Sequence, residues 1–448
     1  MKKLLLGSTA LVAGGLMAAP AMAADPIKIG VGGYYQFFVQ AGGIEGYYAL
    51  NGTSTQYKGV NFIQEGEIHF IGQTKLDNGT TVGITVELEG WNAAVTTVTG
   101  TGSVRQIDEA FLFAFGDWGR VEFGSRDAAS YRMIYGSPSA LLGWGFIQHN
   151  SNFVWANGAN AVNKAFFHVT DSAIAGAIQD ANRINYFTPR FMGFQFGAGY
   201  APKINVNAAV GPGLVASICG FNDATTSANC PTNDFSYQDM FDVGANYLNK
   251  FGDVTVALYG AFMTASFVPG YSPLASAASL VNGANLASWK QWSAGVQFGY
   301  AGFTVGGLIG YDNNGLGSNY YTGGDNDTRF YTAAIMYETG PWQLSAGWVG
   351  SYNDNGNGSG SVVNIASGSN AATIGGATTS AAAFGQNQNA GALAFGMESA
   401  QKFELGANYA LGPGIKLVGG AIYYNVAGPS NAVAQQSWLV MLGMDLRF

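Results

Sequence analysis

The sequence predicts an all-β fold: a transmembrane barrel of sixteen antiparallel strands. Three observations predict it. Apolar and polar residues alternate with period two in segment after segment. Charged residues make up 10% of the 448-residue chain, where ordinary soluble domains carry about 25%. Beyond Val12 no unbroken apolar run reaches the roughly 18 residues of a spanning helix. In lipid only helices and closed barrels satisfy their own backbone, so a lipid-compatible chain without such helices points to a barrel.

The chain begins "MKKLLLGSTALVAGGLMAAPAMA". Two lysines, an apolar run and a small-residue Ala21-Met22-Ala23 site read as a cleaved export signal over residues 1–23, leaving a barrel over 24–448. Without Lys2 and Lys3 the formal net charge moves from −8 to −10. That disfavours a nucleic-acid partner, which needs a basic face. Low charge together with 14% aromatics fits a surface in contact with outer-membrane lipid.

The strands follow in order. "IKIGVGGYYQFFVQ" is the first. In "GVNFIQEGEIHFIGQTKL", Phe62, Ile68, Phe70 and Leu76 lie on one face, and Glu65, Glu67, His69, Gln73 and Lys75 on the other. Asp77-Asn78-Gly79-Thr80 then marks a tight turn. In "TVGITVELEG", Val82, Ile84, Val86 and Leu88 oppose Thr81, Thr85, Glu87 and Glu89. In "IDEAFLFAFGDWGRVEFGSR", Phe111, Phe113 and Phe115 face one way before Gly116-Asp117, and Val121 and Phe123 then alternate with Arg120, Glu122 and Arg126. Five more pairs of runs break at Pro189 to Gly193, Asn249 to Asp253, Ala301-Gly302, Thr339 to Pro341 and Gly412 to Gly414. Seven hairpins supply fourteen strands. The first run and the final "WLVMLGMDLRF" bring the number to sixteen. In that last strand Trp438, Val440, Leu442, Met444, Leu446 and Phe448 form an apolar phase. With both ends periplasmic, every short turn is periplasmic and every long connection outer. Tyr47, Tyr48, Trp91, Trp118, Tyr200, Tyr300, Tyr311, Trp342, Tyr409, Trp438 and Phe448 fall where girdles would meet the interfaces.

The polar phase of the early strands carries Glu65, Glu67, His69, Glu87, Arg105, Asp108, Arg120 and Arg126, all expected to face the lumen. Acids outnumber bases, which gives an expected weak cation preference. Two readings stay open: rings that bias ions, or Glu–Arg bridges that only brace the wall. Cys219 and Cys230 in "CGFNDATTSANC" are expected to form a loop disulfide in an exported chain. The Gly-, Ser- and Asn-rich stretch 353–397 reads as a long mobile outer loop. No catalytic, metal or cofactor motif appears: there is no G-x-S-x-G elbow, H-E-x-x-H pair or complete calcium loop.

On "TKLDNGTTVGITVELEG", "DEAFLFAFGDWGRVEFGSRD" and the terminal "GMDLRF", the chain resembles the general porin family of Gram-negative outer membranes. The resemblance implies homotrimers of sixteen-stranded barrels that pass small hydrophilic solutes by passive diffusion. It implies that Phe448 is part of a signal read by the outer-membrane assembly machinery. It also implies that a third loop, here 131–182, folds inward and narrows the pore. In the family such a loop commonly puts acids opposite a wall of arginines. This one departs, holding Asp171 and Asp180 but no glutamate, and adding Arg132, Lys164, His149 and His168. A solute-selective porin is the closest alternative, with Trp144, Phe146, Phe153, Trp155, Phe166 and Phe167 as a candidate track. A barrel enzyme and a secreted soluble β-protein are further rivals.

Overall fold

The structure, a computed structural model, describes residues 26–48, 53–90, 107–142, 181–204, 237–267, 288–312, 328–354, 397–427 and 433–448. The strands are β1 (Lys28–Tyr48), β2 (Thr53–Lys75), β3 (Thr81–Glu89), β4 (Ile107–Gly116), β5 (Gly119–Arg126), β6 (Ala181–Phe187), β7 (Phe194–Ile204) and β8 (Tyr237–Phe251). They continue as β9 (Val254–Phe267), β10 (Trp289–Tyr300), β11 (Phe303–Asp312), β12 (Thr328–Thr339), β13 (Trp342–Asp354), β14 (Met397–Gly412), β15 (Ile415–Ala427) and β16 (Val433–Arg447). Each pairs antiparallel with its neighbours in sequence, and β1 pairs with β16 from Tyr34↔Arg447 to Tyr48↔Val433. The sheet therefore closes and leaves no edge. Among the described residues no helix is long and apolar enough to cross a membrane, which says nothing of a barrel that crosses with strands.

All seven expected hairpins form, each at the turn residues read from the sequence. Strands β3 to β6 have 9, 10, 8 and 7 residues, against 21 and 23 in β1 and β2, so one side of the wall is low. The long-loop boundaries shift slightly. The strands run on to Asp354 and resume at Met397, so the expected 353–397 connection is 355–396, outside the described residues. Strand β6 likewise begins at Ala181, one residue inside the expected third loop. Residues 1–25, with the expected signal, also lie outside.

Alternation sorts the side chains as a barrel in lipid requires. On β16, Trp438, Val440, Leu442 and Leu446 are exposed outward, while Leu439, Met441 and Asp445 are buried inward. Aromatics gather near the short-turn end: Phe303 stacks on Tyr337 at 4.3 Å, Trp342 meets Tyr409 at 4.7 Å, and Trp118 and Tyr300 are exposed. A second band, with Tyr200 on Phe241 and Trp292 on Tyr311, lies towards the other end. Rings of this kind anchor at headgroup depth. Strand β4 runs against the chemistry of its residues. Phe111 and Phe113 are buried on the inner face, while Leu112 is the exposed outward residue. The register shift between Val86 and Leu88 is the cause, because it places an extra residue between Ile107 and Ala110.

Candidate functional site

After β5 the chain turns inward rather than away. Residues 127–142 run along the inner wall and are fastened to strand after strand by wall side chains. The Ser130 amide donates to Asp242 at 2.7 Å, and Asn246 donates to the Met133 carbonyl at 3.1 Å. Gln297 donates to the Gly136 carbonyl at 2.7 Å. The Ser137 hydroxyl donates to Thr332 Oγ1 at 2.6 Å, and the Ala140 amide to Ser345 Oγ at 2.9 Å. Asn408 donates to the Ala140 carbonyl at 2.8 Å, and Gln36 to that of Leu142 at 3.3 Å. These bonds span the wall from β8 round to β1. They satisfy loop backbone groups that burial has taken from water. Met133 and Ala129 add an apolar anchor, packed with Phe187, Tyr259, Leu308 and Phe330.

The loop lies flush because the wall beneath it is glycine. A Cβ on Gly295 would overlap the Tyr135 carbonyl, and one on Gly306 that of Gly136. Gly244 faces Ser130 Cα, and Gly406 and Gly420 face Leu141, all within about contact distance. All are on the inward phase of their strands. No sequence motif announced this track; the signal was glycine recurring on the polar phase of β8, β10, β11, β14 and β15.

Beside the loop's root sits a network of arginines and acids. Glu122, fully buried, accepts from Arg120 Nε at 2.5 Å and from Arg132, and stands 3.9 Å from Arg126 Nε. Arg126 pairs closely with buried Glu109 and lies 3.7 Å from Glu87. Glu109 also accepts from the Asp127 amide at 3.0 Å. Arg183 stands 3.5 Å from Asp242, both buried. Three guanidiniums lie over inward rings: Arg120 over Phe113 at 4.7 Å, Arg126 over Phe111 at 4.5 Å and Arg132 over Phe187 at 4.9 Å. The inward phenylalanines thus serve as platforms for cations. On β2 and β3, Tyr34 donates to Glu65 at 3.1 Å and Glu67 at 3.0 Å, and His69 Nε2 is 2.7 Å from Glu67.

The structure therefore brings together Glu65, Glu67, His69, Glu87, Arg120, Arg126 and Arg132. Asp108 is half-buried in the β4 bulge, where alternation alone does not give its face. Arg105, Asp171, Asp180, Cys219 and Cys230 lie outside the described residues, as do the six candidate track aromatics. Sequence reading missed Glu109, which the bulge turns onto Arg126, and the buried Arg183–Asp242 pair. It also missed Lys402 and Glu404, buried 3.6 Å apart, where Ser139 of the loop donates to Glu404 at 2.5 Å. In the described part the polarity is the reverse of the expected one: the wall supplies the acid, Glu122, and the loop supplies an arginine, Arg132.

A family model described as "Gram-negative porin" matches residues 7–429. Among curated relatives, an uncharacterised protein of Rickettsia typhi is 22% identical over 78% of this chain and 86% of its own length. One from Rickettsia conorii is 23% identical over 60% of this chain and 67% of its own. Among solved structures, an anion-selective porin from Comamonas acidovorans aligns with a TM-score of 0.50 at 14% identity, covering 94% of this chain and all of that one.

Proposed function

The chain belongs to the Gram-negative porin family, an outer-membrane channel family, and on that premise we propose that it passes small hydrophilic solutes passively with a weak preference for cations. The observation that carries the proposal is a closed sixteen-stranded barrel whose inward phase is polar and charged while its outward phase is apolar. Such a wall encloses water, and transport through it is physical rather than chemical. The loop from Asp127 inward acts as the constriction, held to the wall by the bonds given above. The mature chain starts after the export signal, assembles as a homotrimer, and uses Phe448 in its delivery to the assembly machinery.

The sign of selectivity follows from which charges are spent. Glu122 and Glu109 are consumed by Arg120, Arg126 and Arg132. Glu65, Glu67 and Glu87 remain around one histidine and one tyrosine, with Arg126 reaching only Glu87. Acids left in excess favour cations. The anion selectivity of the Comamonas porin is not carried over, since at 14% identity the likeness is one of fold. A second reading draws on the three arginines stacked over inward phenylalanines, a ladder suited to guiding small carboxylates. The neutralisation of those arginines by buried acids weighs against it.

The test is single-channel current from the purified full chain in a planar bilayer under a KCl gradient. Stable steps with a reversal potential on the cation side are expected. Folded, inserted protein without conductance would overturn the channel reading. A reversal potential on the anion side, with block by small carboxylates, would favour the arginine ladder.

A further inference from the structure

Three ligand-type atoms converge on the inner wall of β2 and β3, and the channel reading does not require them. A carboxylate oxygen of Glu67, a ring nitrogen of His69 and a carboxylate oxygen of Glu87 all lie within 4.8 Å of one another. The register makes this cluster. Glu67 and His69 are two residues apart and so share the inward face of β2, and His69 stands directly opposite Glu87 on β3. All three side chains are half-buried, so the cluster is reachable from water.

We propose that Glu67, His69 and Glu87 form a lumen-wall site for a divalent transition-metal cation of the Zn2+ class. The donor set is one imidazole and two carboxylates. Two carboxylates balance a divalent charge, and the imidazole selects zinc-like ions over magnesium and calcium, which prefer oxygen alone. Three protein ligands leave a fourth position for water, the pattern of an open zinc site. A tetrahedral zinc holds its ligand atoms about 3.3 Å apart. His69 Nε2 and Glu67 Oε2 are now 2.7 Å apart. Reaching that spacing takes movements of about 1 Å at the ends of partly exposed side chains.

Two neighbours shape the site. Tyr34 occupies Glu67 Oε1 with its hydroxyl at 3.0 Å, which leaves Oε2 turned to His69. Its ring also meets the His69 ring edge-on at 6.4 Å. Outer partners of this kind fix a ligand's orientation. Arg126 lies 3.7 Å from Glu87 but closer to Glu109, so it opposes the metal's charge without holding the ligand as its main partner. Binding does not depend on conduction. Only the effect of a bound ion on current rests on the channel reading.

The test uses the untagged full chain, folded in detergent, titrated with ZnCl2 and separately with MgCl2 by calorimetry. One Zn2+ per chain is expected at this site, with Mg2+ weaker by at least about tenfold. Tyr34→Phe should weaken Zn2+ by about tenfold. His69→Gln and Glu87→Gln should each weaken it more, with the barrel still folded by circular dichroism. His149→Gln with His168→Gln, the other histidines of the chain, should leave it unchanged. Zn2+ binding that survives both His69→Gln and Glu87→Gln, or that matches Mg2+, overturns the proposal. Wild-type protein that conducts but binds no Zn2+ overturns the site and spares the channel. Protein that binds Zn2+ through His69 but never conducts does the reverse.

Discussion

Replacing Glu67 and Glu87 by glutamine together should shift the channel away from cations, and the size of the shift can be worked out. Both carboxylates sit on the inner wall, and their nearest bases are one histidine and the far side of Arg126. An ion passing about 8 Å from each carboxylate in water feels about 0.5 kcal/mol per charge. Salt at 0.1 M screens that by about half, since the Debye length is about 10 Å. Two charges then give about 0.5 kcal/mol, favourable to a cation and unfavourable to an anion. The difference of about 1 kcal/mol is about fivefold in the cation-to-anion permeability ratio. The assay is the reversal potential in a tenfold KCl gradient, with EDTA present so that no divalent ion masks the wall charge. A ratio that stays at the wild-type value refutes the reasoning. It would mean that His69 and Arg126 neutralise these acids and that the wall charges brace rather than select.

Glu122→Gln should destabilise the barrel by about 2 kcal/mol: breaking a buried pair costs about 3–5, reduced because the three arginines keep some access to water. Urea unfolding in detergent measures it, and an unchanged midpoint would show that Arg120, Arg126 and Arg132 hold one another apart without it. Gly295→Ala should lift the loop at Tyr135 and cost about 1–3 kcal/mol by overpacking. Gly260→Ala, where an added Cβ meets nothing within 4 Å, should cost nothing, and equal effects from both would contradict the glycine track. Phe448→Ala keeps the backbone exchange with Gly33 but removes the ring, so the level of inserted protein in cells should fall while refolded protein keeps its stability. Equal levels would separate this aromatic from assembly.

What the sequence made legible, and what it hid, divides along the reach of each physical signal. Period two and turn chemistry are local, so all sixteen strands and seven hairpins could be read within windows of about ten residues. The lumen is built from long-range register, and local patterns do not encode it. Glu109 was hidden because a one-residue bulge in β4 turned the phase, and the same bulge sent Phe111 and Phe113 inward while Leu112 took the lipid. Reading an apolar phase as the lipid phase assumes that rings have no use in a polar lumen. Here they do, because a guanidinium loses part of its hydration against the wall and a ring face replaces it. The loop's path was hidden for a similar reason. Its partners, Asp242, Gln297, Thr332, Ser345 and Asn408, lie from 112 to 268 residues away in the chain. Each is an ordinary inward polar residue of its own strand. Only closure of the barrel gathers them into one track, and only glycines beneath it let the backbone settle there. A porin constriction is therefore poorly marked by the charge of its loop. In this chain the better marks are the inward glycines that make room for the loop and the acids, Glu109 and Glu122, that bind the arginines at its root.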